Sequence, residues 1–276
     1  MSATVSFPVP SPHGPRTVTV SYARVGSGEP LLLLHGIGHH RQAWDPVVDV
    51  LATEREVIAV DLPGFGASPG LPEGLAYDLP TTTAVFRAFC EALELERPHV
   101  AGNSLGGLIA LELGREKLVR SVTALSPAGF WSAVERRYAF GVLMAMRQIS
   151  RRLPLPLVER AARTAVGRVA LTSTIYARPT RRSPDAVVAE TLALANATGF
   201  DDTLRSGTAV RFTDDIPDLP VTVAWGSGDR LLVPRQGVRA KGIIPKARLV
   251  RLPGCGHVPM NDDPALVARV ILDGSR

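Results

Sequence analysis

The sequence predicts an α/β protein: a mostly parallel central sheet flanked by helices, with an inserted helical segment. Three observations carry that prediction. Short apolar runs alternate with helix-like stretches in both the first and the last part of the chain. One run, Pro30-Leu31-Leu32-Leu33-Leu34, has no polar alternation, the pattern of a strand buried on both faces. From about Phe130 to Asp215 the rhythm stops, and the chain is rich in Arg, helix-like in composition and without a clear strand.

Taken in order, the chain opens on two strands, Thr4 to Val9 and Thr17 to Val25. The second alternates through Val18, Val20 and Tyr22, and the turn signal Pro12-His13-Gly14-Pro15 separates the two. After Pro30 to Leu34, Gln42 to Ala52 reads as a helix. Glu56 to Val60 is a strand ending in Asp61-Leu62-Pro63-Gly64-Phe65-Gly66. A helix over Thr82 to Leu95 leads to the short apolar run Pro98-His99-Val100-Ala101, and Val119 to Leu125 forms the next strand. Beyond the Arg-rich stretch come a strand at Val221 to Trp225, a helix near Gln236 to Lys241 and a strand from Ala247 to Leu252. The last helix runs from about Pro264 to Leu272, with Asp262 or Asp263 as its cap. The division expected is a core of residues 1–129 and 216–276, with residues 130–215 as a helical cap.

Composition narrows the class. A chain of 276 residues suits one large domain with an inserted subdomain and buries a full core without staples. The two cysteines, Cys90 and Cys255, are far apart and make neither a disulfide framework nor a zinc spacing, which points to a reducing cytoplasm. The first residues lack a basic region followed by an apolar one, and no run approaches the ~18 apolar residues of a membrane span, so neither a signal peptide nor a transmembrane segment is expected. Net charge is +5, yet Trp131 to Phe200 alone holds 11 arginines against four acids, leaving the remainder slightly acidic. No nucleic-acid recognition motif accompanies this charge. A solvated face is the simplest account of it, and attraction of anionic substrates or lipid surfaces is the alternative.

The residues that carry chemistry begin at Gly102-Asn103-Ser104-Leu105-Gly106. An apolar run precedes this segment, and Gly107-Leu108-Ile109-Ala110-Leu111 follows with helical composition. Gly-x-Ser-x-Gly between strand and helix is the setting of a nucleophile elbow, in which a tight turn lifts the serine hydroxyl out of the sheet. A strained serine backbone leaves no room for side chains on either side, hence the two glycines. A serine hydroxyl is a weak nucleophile alone and requires a base, an orienting acid and oxyanion donors.

The order of motifs resembles the α/β-hydrolase superfamily over nearly the whole chain. The resemblance rests on His35-Gly36, Asp61-Leu62-Pro63-Gly64-Phe65-Gly66-Ala67-Ser68, the Ser104 elbow, Gly226-Ser227-Gly228-Asp229 and Gly254-Cys255-Gly256-His257, each at the end of a predicted strand. It implies Ser104 as nucleophile, Asp229 as acid and His257 as base, in the chain order this superfamily uses. His257 lies in a glycine-rich loop late in the chain, and an imidazole titrating near ~6.5 suits a proton shuttle. Asp229 follows a strand end, whereas the loop after the preceding strand, Ser126-Pro127-Ala128, offers no carboxylate. The backbone N–H groups of Leu105 and, by family analogy, Ile37 are the expected oxyanion donors. His35 is expected to be structural.

The resemblance also narrows the reaction. Superfamily members that open epoxides or displace halide carry aspartate at the elbow, and position 104 is serine. The leading expectation is hydrolysis of a carboxylic ester through an acyl-enzyme, with no metal and no organic cofactor. The substrate would be a small molecule with an apolar acyl part. A second expectation is hydrolysis of a carbon–carbon bond in a vinylogous diketone, since those hydrolases also carry Gly-Asn-Ser. Their histidine, however, is followed by tryptophan, and here Val258 follows. A third is a ligand-binding member without catalysis. Trp131, Phe140, Leu143 and Met144 are the candidate substrate-lining residues of the cap, and cap core is the competing role for them.

Overall fold

The computed structural model describes residues 2–276, and its eight strands form one sheet in the order β1-β2-β4-β3-β5-β6-β7-β8. The strands are β1 (Ser2–Val9), β2 (Arg16–Val25), β3 (Pro30–Leu34), β4 (Glu56–Val60), β5 (His99–Asn103), β6 (Ser121–Leu125), β7 (Val221–Gly226) and β8 (Arg248–Leu252). β2 runs antiparallel to both β1 and β4, and every other pairing is parallel. The helices are α1 (Asp45–Leu51), α2 (Leu79–Ala92), α3 (Leu105–Arg115), α4 (Ala133–Arg152), α5 (Leu155–Ala162), α6 (Ala165–Thr172), α7 (Pro184–Asn196), α8 (Phe200–Ser206), α9 (Arg235–Ile243), α10 (Pro259–Asp262) and α11 (Pro264–Gly274).

The four leucines of β3 explain the two-sided core. Successive strand side chains point to opposite faces. Leu32 and Leu34 join Ile58, Val100, Phe86 and Leu108 under α2 and α3, while Leu31 and Leu33 join Trp44, Leu51, Val267 and Ile271 under α1 and α11. All four are buried. Covering both faces with helices is what permits an apolar run without alternation.

Several element bounds differ from the sequence expectation, for local reasons. Arg41–Trp44 is a 3-10 turn, and α1 starts afresh at Asp45. Pro46, with no N–H, cannot continue the preceding helical ladder but is tolerated in a first turn. α2 begins at Leu79, three residues ahead of expectation, because Asp78 caps it by accepting the Thr81 N–H at 2.9 Å. It stops at Ala92, where the chain leaves the helix through Glu94 at φ 54°. α11 is capped by Asp263, which accepts from Leu266 N–H at 3.1 Å, so of the two candidate caps Asp262 serves elsewhere.

Between β6 and β7 the described residues hold five helices, α4 to α8, two 3-10 turns and no strand. α4 opens on a reciprocal capping box between Ser132 and Glu135. Arg147 on its buried side donates to the carbonyls of Leu194 and Ala197, and its guanidinium lies 5.2 Å from the Phe200 ring centroid. Asp262, fully buried, accepts from the N–H groups of Ala177 at 2.9 Å, Arg178 at 2.7 Å and Gly256 at 2.7 Å. One carboxylate thereby ties the loop after α6 to the loop that carries His257.

Candidate active site

The parallel strands end on one side of the sheet, and the loops leaving those ends build the site. β5 passes into α3 through Ser104 at φ 57°, ψ −114°, a conformation that L-residues rarely adopt. The flanking glycines are required by backbone, not by side chains. A Cβ on Gly102 would lie 2.0 Å from Gly106 O, and one on Gly106 would lie 2.1 Å from Leu34 O. The turn is held by Ser104 N–H donating to Leu125 O, and by Leu108 and Ala128 N–H donating to Ser104 O, each at 3.0 Å.

The register places β3 beside the elbow, with Leu34 opposite Gly102. The loop after β3 therefore passes close by: a Cβ on Gly36 would be 3.1 Å from Ser104 Cβ. Ile37 follows Gly36, and Leu105 opens α3. Among the described residues neither of their amides donates to a protein acceptor, which leaves two N–H groups beside the serine. Leu105 also sits where a helix N-terminus favours negative charge.

His257 and Asp229 arrive from the far strands. Gly226 at the end of β7 lies opposite Leu252 at the end of β8, so the loops after them are neighbours. Asp229 Oδ1 accepts the N–H groups of Leu231 at 2.9 Å and Leu232 at 2.8 Å, and Oδ2 lies 2.8 Å from His257 Nδ1. Acceptance by a carboxylate puts the proton on Nδ1 and leaves Nε2 with its lone pair. Asn103, next to the serine, donates through Nδ2 to Leu125 O at 3.1 Å and to His257 O at 2.9 Å. The amide before Ser104 thus locks the histidine loop to the elbow, a part the sequence reading did not assign to it.

His35 is placed as expected of a structural residue. Its Nε2 accepts the Leu62 N–H at 3.0 Å and its Nδ1 donates to Gly36 O at 2.7 Å. Full burial lowers its pKa to about 4. The motif beginning at Asp61 has a similar explanation. The buried carboxylate accepts from the backbone of Arg41 at 2.6 Å and of Ala67 at 3.0 Å, and a Cβ on Gly66 would meet it at 2.3 Å. Cys255 is buried and its thiol is pushed up to about 12 by that burial, so it is not a nucleophile near neutrality.

Two cavities meet at Ser104 and share Ile37, Leu143 and Leu231 as walls. The first is walled largely by apolar side chains, among them Leu62, Phe65, Val85 and Leu108. Of the cap residues named from the sequence, Trp131, Phe140 and Leu143 line it, with the Trp131 and Phe140 rings edge to face at 5.6 Å. Met144 does not join them: it is 38% exposed and lines neither of these cavities. The inward face of α4 is centred on Leu143, and at about 100° per residue Met144 turns away from it.

The second cavity is lined by Gly36, Asn103, His257, Val258, His39 and Glu190, among others. Here the structure assembles a cluster that the sequence reading did not connect. Arg182 reaches Glu190 Oε1 through Nε at 2.6 Å and Nη2 at 2.5 Å, and Tyr176 donates to the same oxygen at 2.9 Å. His39 Nε2 lies 3.4 Å from the Tyr176 hydroxyl. Burial lowers the His39 pKa well below the usual imidazole range and raises those of Tyr176 and Glu190. These residues come from the β3 loop, the loop after α6 and α7, with no local motif to announce them.

The chain matches the alpha/beta hydrolase family over residues 31–270. It belongs to that family. It is 30% identical over 268 residues to an uncharacterized protein of Mycobacterium tuberculosis, covering 92% of this chain and 76% of the relative. Among solved structures it is similar to a thermophilic esterase from Thermogutta terrifontis, with a TM-score of 0.76 at 21% identity, over 98% of this chain and 97% of the other. It is also similar to the meta-cleavage product hydrolase CumD from Pseudomonas fluorescens, with a TM-score of 0.72 at 20% identity over 96% of both chains. At such identities the structural likenesses establish the fold. No helix among the described residues is long and apolar enough to cross a membrane.

Proposed function

We propose that the protein is a serine hydrolase of carboxylic esters, acting through an acyl-enzyme with Ser104 as nucleophile, His257 as base and Asp229 as orienting acid. The observation that carries this reading is the convergence at one cavity of the strained Ser104 turn and the His257–Asp229 pair at 2.8 Å. Ser104 Oγ attacks the ester carbonyl as His257 Nε2 takes its proton. The amides of Ile37 and Leu105 receive the oxyanion. His257 then protonates the departing alcohol and activates the water that releases the acid. Asp229 holds the tautomer and stabilises the imidazolium. This sequence of steps requires no metal and no organic cofactor.

In this reading residues 130–215 form a cap whose residues Trp131, Phe140 and Leu143 wall the acyl side of the site. The lining of the first cavity favours an apolar acyl group, and the free cysteines suit a reducing cytoplasm. The esterase from Thermogutta terrifontis lends the same direction. The likeness to CumD keeps carbon–carbon bond hydrolysis as the second reading, because the same serine and histidine would serve it. A panel of p-nitrophenyl esters from acetate to palmitate, run on wild type and Ser104→Ala, tests the proposal. The expectation is turnover in wild type and a loss of at least about a thousandfold in the variant. Retained turnover in Ser104→Ala sinks it. Decay of a dienol substrate's visible absorbance, faster than any ester, selects the second reading. Failure of a fluorophosphonate to label the folded protein would favour a binding role without catalysis.

A further inference from the structure

We propose that the cavity on the His257 side is a leaving-group subsite for alcohols that carry a second hydroxyl, and that Glu190 is the residue that recognises that hydroxyl. The inference rests on the ester-hydrolase reading and adds to it which half of the substrate goes where.

The direction follows from proton transfer. The group that protonates the departing alcohol must face it, so the alcohol lies on the side of His257. Ser104 lines both cavities, but His257 lines only the second. The acyl chain then enters the apolar first cavity and the alcohol enters the second.

The chemistry follows from Glu190. It is 7% exposed, it lines the second cavity, and all its protein hydrogen bonds go to one oxygen. Arg182 Nε, Arg182 Nη2 and the Tyr176 hydroxyl converge on Oε1 at 2.6, 2.5 and 2.9 Å. His39 extends the same chain. Its Nδ1 accepts the His40 N–H at 3.1 Å, so its proton sits on Nε2, facing the Tyr176 hydroxyl. The Arg182 and Tyr176 donors that reach Glu190 thus all go to Oε1, with Arg182 Nη2 also reaching Gln42 O at 3.4 Å. Oε2 is buried and has no hydrogen-bond partner among the described residues. Buried carboxylate oxygens are ordinarily satisfied, and one left unpaired on a residue that lines the same cavity as Ser104 and His257 points to a ligand. Of the threonines that line this cavity, Thr172 and Thr191 are occupied, donating to the carbonyls of Arg168 and Val187, both at 2.8 Å.

A hydroxyl is the group that fits. It donates to an ionised carboxylate and accepts from a protonated one, so it matches Oε2 in either state. An ammonium would add positive charge to a site where Arg182 already balances Glu190. A carboxylate would meet like charge. An alkyl leaving group would leave Oε2 buried and unpaired, which is how a polar site rejects an analogue lacking the matching group.

The test compares a 2-hydroxyethyl ester with the propyl ester of the same acid, which replaces the hydroxyl by a methyl. Calorimetric binding to Ser104→Ala measures the subsite without turnover, and kcat/KM of wild type measures it with turnover. The expected preference for the hydroxyethyl ester is at least about tenfold in each. The double variant Arg182→Met/Glu190→Met removes both charges together, leaving no lone buried ion, and should bring the binding ratio close to one. Equal binding of the two esters overturns the proposal, as does a preference that survives in the double variant. If the double variant does not fold, the ratio measured on Ser104→Ala decides. A binding preference without ester turnover in wild type would count against the ester-hydrolase reading and not against the subsite.

Discussion

Ser104 occupies a backbone conformation that costs on the order of 1–3 kcal/mol, and the surrounding strands hold it there. The two glycines are a steric consequence. Gly102→Ala would put a methyl 2.0 Å from the Gly106 carbonyl, where only backbone could give way. The expected outcome is a loss of roughly 4 kcal/mol or more in urea unfolding, or no soluble protein at all. Asp229 offers a test of chemistry with little change in packing. In Asp229→Asn the amide oxygen still accepts from Leu231 and Leu232, but the Nδ2 group would face His257 Nδ1 and favour the wrong tautomer. We expect kcat on p-nitrophenyl esters to fall by about 10⁴ near neutral pH with the melting temperature nearly unchanged. A fall of less than tenfold would remove Asp229 from the proposed role.

Between elements, Glu135 is the junction to probe. It closes the capping box of α4 and receives Arg235 at 2.5 Å and Arg239 at 2.7 Å, both on α9. Burial alone would raise its pKa, but the Arg239 bond, the Ser132 N–H and the Arg235 bond outweigh it and hold the carboxyl at about 2, against 4.5 for a free glutamate. The sign is that of a depressed acid. The stabilisation is fully present above about 4.5 and is lost as pH falls toward 2. Thermal unfolding of wild type and Glu135→Gln from pH 2 to 7 should show the variant melting lower at neutral pH. The two curves should converge at the acid end, and a constant gap over the whole range would contradict the assignment. Element bounds were the part least legible in the sequence. The start of α2 at Leu79 is fixed only once Asp78 is seen capping it, and Asp262 and Asp263 are indistinguishable until one caps α11 and the other grips three amides.

Across the whole molecule, the surplus of arginine between β6 and β7 is divided: Arg137, Arg151, Arg152, Arg160 and Arg163 are exposed, while others make contacts inside the fold. Arg147, Arg178, Arg181 and Arg182 each donate to a carbonyl or carboxylate that joins the inserted helices to one another or to the core. The sheet is held differently, by burial on two faces. Hydrogen exchange should separate the two regimes. The amides of Leu32, Leu33, Val100 and Ala101 are expected to exchange only through global unfolding. Those of α5 and α6, where Leu157, Val166 and Val169 are exposed, should exchange by local opening at least a hundredfold faster. Equal protection in both would mean that the inserted helices and the sheet unfold as one unit.

The sequence by itself determined the class of the fold and the tight turn at Ser104, because these depend on local patterns. A four-leucine run needs two covered faces, a Gly-x-Ser-x-Gly between strand and helix needs one kind of turn, and loops after parallel strands emerge on one side of the sheet. Hydrophobicity named Trp131, Phe140, Leu143 and Met144 together, but it does not say which way a helix is rotated, and only the first three face the cavity beside Ser104. What only the tertiary structure decided is the arrangement around the serine: the Asn103 link to the histidine loop, and the convergence of His39, Tyr176, Arg182 and Glu190 from distant segments. Such contacts have no period and no spacing, because they arise where separate elements pack. The proposed nucleophile is therefore readable in the chain, while the groups that would select its substrate become visible only in three dimensions.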